Sequence, residues 1–447
     1  RDDTFERFEI MSMDTALPFI SHGKGINVWD ESGKRYIDAS GGPATFCIGH
    51  ANEEVNDAIK EQIDKIAFGY RAHFRSHASE DLAEMIRTKA GGSLNHVVYN
   101  SGGSEAVEGC LKLALQYHTA QGEMSRRRFI SRERAWHGNT LGALSVSGFL
   151  ARQEPYFGSL LEASLLSPVN TYRPPAGVAP ENVAEYCANE LEEEIQRVGA
   201  ETVAAFIFEP VVGAAGGAVP APESYAQRIR DICDRHGVLM IADEVMCGVG
   251  RCGTWRALEH DGVEPDIMSI AKGLGGGYVP LGASVYSDRV AEPIFRVHGA
   301  PITGHTFTGH TTACAAALAV QKIMERDQLV EKVATDGVYL RQKLEETLGQ
   351  HPHVGDIRGR GFFQGIELVE DRETKEPFSP NLTMSKRTFD TGFANGLIVY
   401  PTPGNVDGRK GDQIIVAPPY NATREELDEI VALLAKTIDQ TVESCAT

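Results

Sequence analysis

Two residues of this chain stand directly at the ends of apolar runs. Lys272 follows Ile267-Met268-Ser269-Ile270-Ala271 and precedes Gly273-Leu274-Gly275-Gly276-Gly277, and Asp243 closes Val238-Leu239-Met240-Ile241-Ala242. Continuous apolar runs bounded by turn residues or charge read as strands buried in a parallel sheet. Open α/β sheets place ligands at the carboxyl ends of such strands. An amine there is costly unless it is paired or chemically used, with a surface lysine at a loop mouth as the plainer alternative. Asp243 reads either as a working carboxylate or as a structural cap or ion-pair partner. Because the glycines follow Lys272, the segment is not a P-loop, in which they precede the lysine.

A third segment, Asn100-Ser101-Gly102-Gly103-Ser104-Glu105, lies between a strand over His96–Tyr99 and a helix over 104–120 that places Ala106, Cys110, Leu113, Ala114 and Tyr117 on one face. Small residues at a helix N-terminus admit an anion to the backbone N–H groups. Ser104 is also a candidate N-cap, and a plain glycine turn is the simpler reading. Gly248-Val249-Gly250-Arg251-Cys252-Gly253 spells the dinucleotide fingerprint, with acids at Glu264 and Asp266. Its glycines fall well past the strand end, however, and Thr254-Trp255 opens no apolar helix. An NAD-dependent dehydrogenase is therefore the lesser reading of residues 248–253.

These candidates require a scaffold of alternating elements. Helices are expected over 51–66, 79–90, 223–236 and 311–326, with buried strands at Val203–Phe208, Val238–Ala242 and Ile267–Ile270, the rhythm of an open α/β sheet. The opening has a hairpin pattern: Gly25–Asp30, a Glu31-Ser32-Gly33-Lys34 turn, then Arg35–Asp38. The last third alternates differently, with helix 329–350, strand Gly365–Val369, helix 384–395, strand 397–400, strand Gln413–Ala417 and helix 423–440. This predicts an α/β protein: a large domain over 51–328 with a mostly parallel central sheet, and a smaller α+β domain built from 1–50 and 329–447.

Composition limits the function classes. The 447 residues carry 62 Asp+Glu against 43 Lys+Arg, a formal charge of −19, which argues against nucleic acid or an anionic membrane as partner. The eight cysteines are scattered with no CxxC pair, which suggests free thiols in a reducing, cytoplasmic setting and no metal site. No apolar run approaches a membrane span. Arg1-Asp2-Asp3-Thr4-Phe5 shows no signal peptide, and the lack of an initial Met suggests a trimmed N-terminus.

Taken together and in order, Asp243-Glu244-Val245, Gly248-Val249-Gly250-Arg251 and Lys272 with its glycines resemble the class III aminotransferases, pyridoxal-phosphate (PLP) enzymes of fold type I that include many ω-transaminases. Ser101–Ala106, Trp136-His137-Gly138, Glu209-Pro210, Gly304–His310 and Arg358-Gly359-Arg360-Gly361 before Gly365–Leu368 match as well, so the resemblance spans about residues 25 to 420. It implies that Lys272 forms the Schiff base with the cofactor and then shuttles a proton, and that Asp243 pairs with the pyridine nitrogen. Val245 and Trp136 would flank the ring, Gly103 and Ser104 would hold the phosphate, and His137 would be a packed histidine of the cofactor site rather than a catalytic one. Thr306 would reach the phosphate of a neighbouring subunit, making a homodimer, or a tetramer of such dimers, with shared active sites.

Departures from the family pattern narrow the substrate. Glutamate- and ornithine-type members carry a glutamate where this chain has Ala214, and an arginine where it has Ile415. The fixed arginine clamp for a dicarboxylate is therefore missing. Arg409, in a loop, and Tyr70, Arg71 and Arg75, near the expected entrance, are the candidates for substrate contact. The expected reaction is amino transfer from an amine or ω-amino acid to a keto acid, pyruvate rather than 2-oxoglutarate. The alternatives are a racemase, aminomutase or decarboxylase on the same scaffold, the dehydrogenase above, and a non-catalytic binding protein that kept the scaffold.

Overall fold

The structure, a computed structural model, describes residues 17–445. The opening Arg1–Phe5, read above for a targeting signal, and the first part of the 1–50 unit lie outside them.

Seven strands form the central sheet in the spatial order 96–100, 282–286, 267–270, 239–243, 203–208, 128–132, 163–166. Only Gly282–Tyr286 runs antiparallel to its neighbours; the pairs from 267–270 through 163–166 are parallel. Alternate residues of each strand feed opposite layers. Phe206, Phe208, Met240 and Ala242 pack with helices Val183–Val198 and Tyr225–His236. Ala205, Ile207, Leu239, Ile241 and Ile267 pack under Gly103–Ala120 and Asp288–His298. A strand covered on both faces must be apolar throughout, and Val203–Phe208 is buried at every position. Each large apolar side chain so buried contributes about 1.5–3 kcal/mol.

Two four-stranded sheets flank this core. In one, Leu397–Ile398 pairs in parallel with Arg35–Asp38 and so joins late chain to the opening hairpin. The hairpin turn is closed by Asp30, whose Oδ1 accepts from the N–H groups of Ser32 and Lys34 at 2.9 and 3.0 Å. The other sheet has the order 354–360, 363–368, 412–416, 400–403.

Most expected elements stand within a few residues of their expected bounds; Val203–Phe208, Ile267–Ile270 and Thr311–Arg326 coincide with them. The run 397–400 differs. It is two strands, Leu397–Ile398 and Tyr400–Pro403, which pair in different sheets, and the two prolines fit because the second strand is at a sheet edge. Strand Arg128–Arg132 escapes an apolar-run search because arginines bound it. Arg132 is nevertheless buried, its guanidinium 5.4 and 5.5 Å from the rings of Phe208 and Tyr225 and donating to the Glu209 carbonyl at 2.8 Å.

Candidate active site

The carboxyl ends of five strands of the central sheet meet around one cavity of about 530 Å³. The turn after 96–100 brings Ser101–Ser104, and the chain after 128–132 brings Trp136 and His137. Glu209 follows 203–208, Asp243 ends 239–243, and Lys272 follows 267–270. Parallel strands point their ends the same way, so residues far apart in sequence arrive at one rim.

Lys272 is held with φ +42°, a left-handed backbone that non-glycine residues rarely adopt and that is retained where the surroundings impose it. Its Nζ donates to the Pro43 carbonyl at 3.0 Å. Burial pushes its pKa down to about 8, against the opposing pull of Asp243 and Glu209. A lysine of this kind supplies free amine from about pH 8, and a fraction of it near neutral pH.

Asp243 is buried and immobilised. Its Oδ2 is 2.7 Å from His137 Nδ1, and its Oδ1 accepts from Ser269 Oγ at 3.0 Å and from the Val245 N–H at 3.1 Å. His137 is itself fixed: its N–H donates to Ser147 Oγ at 2.9 Å, and Nε2 lies 3.2 Å from Ser131 Oγ. The Glu209 carboxylate accepts from the N–H groups of Trp136 and Gly213, both at 2.8 Å, and burial pushes its pKa up to about 7. Glu209 thus ties the Trp136 segment to the next strand.

The opposite end of the cavity is the N-terminus of helix Gly103–Ala120. Gly102 caps it without a side-chain hydrogen bond, which leaves the first N–H groups for an anion. Space there is filled closely: a Cβ on Gly103 would meet Val245 Cγ1 at 2.8 Å, and one on Gly138, at φ +140°, would meet Ser104 Oγ at 2.6 Å. Ser104 is therefore not the helix cap. Its Oγ instead accepts from the Asn139 N–H at 2.9 Å, which joins the glycine turn to the Trp136 segment.

Of the expected site residues, Gly103, Ser104, Trp136, His137, Asp243, Val245 and Lys272 all line this cavity, as does Ala214. Thr306 does not; it lies on an exposed segment. Nor do the expected substrate contacts. Tyr70 is exposed and packs edge-on with His73, Arg71 lines a separate recess with Phe74 and Thr308, and Arg75 pairs with Glu80 at 2.7 Å. Arg409 pairs with Glu154. Ile415 is wholly buried among Phe363, Ala417 and Met246 and offers no polar contact.

The glycines of the dinucleotide-like segment serve packing. Gly253 lies against the Ala334 backbone and Gly248 against Glu244. The intervening Arg251 is buried, donating to the carbonyls of Phe362, Pro418 and Phe46 and stacking over Tyr420 at 4.6 Å. The acids are taken as well: Glu264 holds Ser93, and Asp266 pairs with Arg230 and Arg289. No dinucleotide site is built there. Sequence reasoning missed Ser269, Arg152 and Tyr400. Ser269 gave a usable signal, as the one polar residue in an otherwise apolar buried strand, on one face of the sheet where it needs a polar partner; the other two gave none.

The aminotransferase class-III family matches residues 11–438. An uncharacterised aminotransferase of Schizosaccharomyces pombe is 44% identical over 95% of this chain and 93% of its own length. The (S)-enantioselective omega-transaminase of Thermomicrobium roseum is 35% identical and superposes with a TM-score of 0.89 over 95% of this chain and 93% of that one. The omega transaminase of Pseudomonas jessenii, solved in complex with PMP, is 33% identical with a TM-score of 0.90 over 96% and 94% of the two chains.

Proposed function

Because this chain belongs to the class III aminotransferases and is a pyridoxal-phosphate-dependent transaminase, we propose that it moves an amino group from an amine or ω-amino acid to a keto acid, with pyruvate the preferred acceptor. One observation carries the reading: the Lys272 amine and the clamped Asp243 carboxylate face the same cavity, whose far end is an uncapped helix N-terminus.

The residues fit the cofactor. A buried carboxylate with three donors on it is suited to a protonated ring nitrogen, and the N–H groups at Gly103 and Ser104 are suited to a phosphate. Val245 and Trp136 would bracket the ring. When bound, PLP supplies an electron sink for the pair left on the substrate carbon as its proton departs. Asp243 would face the ring nitrogen, and His137, Ser269 and the Val245 N–H hold its carboxylate in place for that contact. Lys272 would hold the cofactor until a substrate amine takes its place. Its free amine would then be the base placed to take the proton from the substrate carbon and to return it. Trp136 and Val245 exclude water from that transfer.

Ile415 and Ala214 support the choice of acceptor. Where dicarboxylate-specific enzymes of the family carry an arginine and a glutamate, this chain has a buried apolar residue and a methyl group. We read Thr306, exposed on its own chain, as completing the cofactor site of a second copy, so that the working unit is a homodimer. Residues 51–328 would be the cofactor-binding domain, with the 1–50 and 329–447 segments as the smaller one, in a cytoplasmic enzyme. With one amine donor and PLP-loaded protein, kcat/KM for pyruvate should exceed that for 2-oxoglutarate by about tenfold or more, as loss of one charge-assisted contact implies. A preference for 2-oxoglutarate would overturn the acceptor assignment, and full activity in Lys272→Ala would overturn the site.

A further inference from the structure

A keto acid needs a positive charge for its carboxylate, and the cavity offers few. Asp243 and Glu209 are acids, and the Lys272 amine is reserved for chemistry. Among the described residues Arg152 is the one arginine lining the cavity. It sits in the short helix Leu150–Gln153, with its guanidinium 4.5 Å from the Trp136 ring and 5.1 Å from that of Phe149. Stacking engages the face of a guanidinium and leaves its N–H edge free. No carboxylate or carbonyl among the described residues takes that edge. Glu154, two residues further on, is held by Arg409.

We propose that Arg152 binds the carboxylate of the acceptor keto acid, and that of an ω-amino acid donor, at the rim of the cavity. The proposal rests on the transaminase reading above. Trp136 fixes the guanidinium beside the reaction centre, and its positive charge is near enough to act on Lys272. An arginine on a short helix beside a ring can take a carboxylate in the bidentate geometry that Ile415 cannot provide.

The test uses PLP-loaded protein and two acceptors, pyruvate and butanal, an aldehyde without a carboxylate, with one monoamine donor. Arg152→Gln should lower kcat/KM for pyruvate about 10- to 100-fold more than for butanal, mostly through KM, the loss expected for a charged hydrogen bond, and Arg152→Lys should recover part of it. Calorimetric binding of propionate, which carries a carboxylate but cannot react, should weaken by about tenfold or more in Arg152→Gln. Equal losses for both acceptors, or unchanged propionate binding, would overturn the proposal. So would a collapse of pyruvate selectivity in Arg409→Gln with Arg152→Gln unaffected, because Arg409 would then be the clamp. If wild-type protein transfers no amino group to either acceptor, the transaminase reading fails instead.

Discussion

Lys272 is an amine whose protonation is set by where the backbone leaves it. Burial lowers its pKa from 10.5 to about 8, with Asp243 and Glu209 pulling the other way. Below pH 8 the folded apoprotein holds mostly ammonium, which cannot attack an aldehyde. The rate of PLP capture, followed by visible absorption, should therefore rise about tenfold per pH unit up to about 8 and level off above it. A rate that keeps rising tenfold per unit from pH 8 to 10 would contradict the lowered pKa. Stability carries the same signature. Between about 8 and 10.5 the unfolded chain binds the extra proton, so the lysine's contribution to stability rises with pH across that window and its penalty is full below it. Asp243 is the complementary case, an acid held by His137, Ser269 and the Val245 N–H.

At the scale of elements, the phosphate end depends on how the turn at Gly102–Ser104 and the segment after 128–132 fit together. Gly138 is the point of closest approach: its φ of +140° suits glycine, and a Cβ would meet Ser104 Oγ at 2.6 Å and Cα at 2.8 Å. Gly138→Ala should push the helix N-terminus away, destabilise the fold by about 1–3 kcal/mol and weaken PLP binding. Thermal unfolding and equilibrium dialysis of the variant would measure both effects. PLP affinity equal to that of wild type would mean that this contact does not position the helix.

The whole molecule leaves a cluster of large apolar side chains uncovered beside Thr306: Phe74 is 74% exposed, Ile302 67% and Phe307 54%. Phe307 already packs edge-on against Phe68 at 5.5 Å, so the cluster is ordered although uncovered. Monomeric proteins rarely expose so much apolar surface in one place, which agrees with the proposed homodimer. Phe307→Asp should weaken dimerisation by about 2 kcal/mol or more and reduce activity in step, as read by sedimentation at falling protein concentration alongside turnover. A variant that stays dimeric with wild-type activity would separate Thr306 from any shared site.

Local pattern was enough to mark the chemistry. Lys272 and Asp243 could be placed at strand ends because a strand buried on both faces is apolar at every position and its charged terminus stands out. The glycine turn before 104–120 was legible for the same kind of reason, and the ordered motifs pointed to the family. Other matters are not local. His137 and Ser269 meet Asp243 only because strands 128–132, 239–243 and 267–270 lie in one sheet, an order that no stretch of sequence states. Strand Arg128–Arg132 was hidden because Arg132 needs Phe208 and Tyr225, distant in sequence, before its burial makes sense. The arginines divide in the same way. Type and loop position made Arg409 and Arg71 candidates, but only tertiary packing leaves Arg152 unpaired over Trp136 and Arg409 bound to Glu154, because the partner that takes up a charge is chosen by the fold.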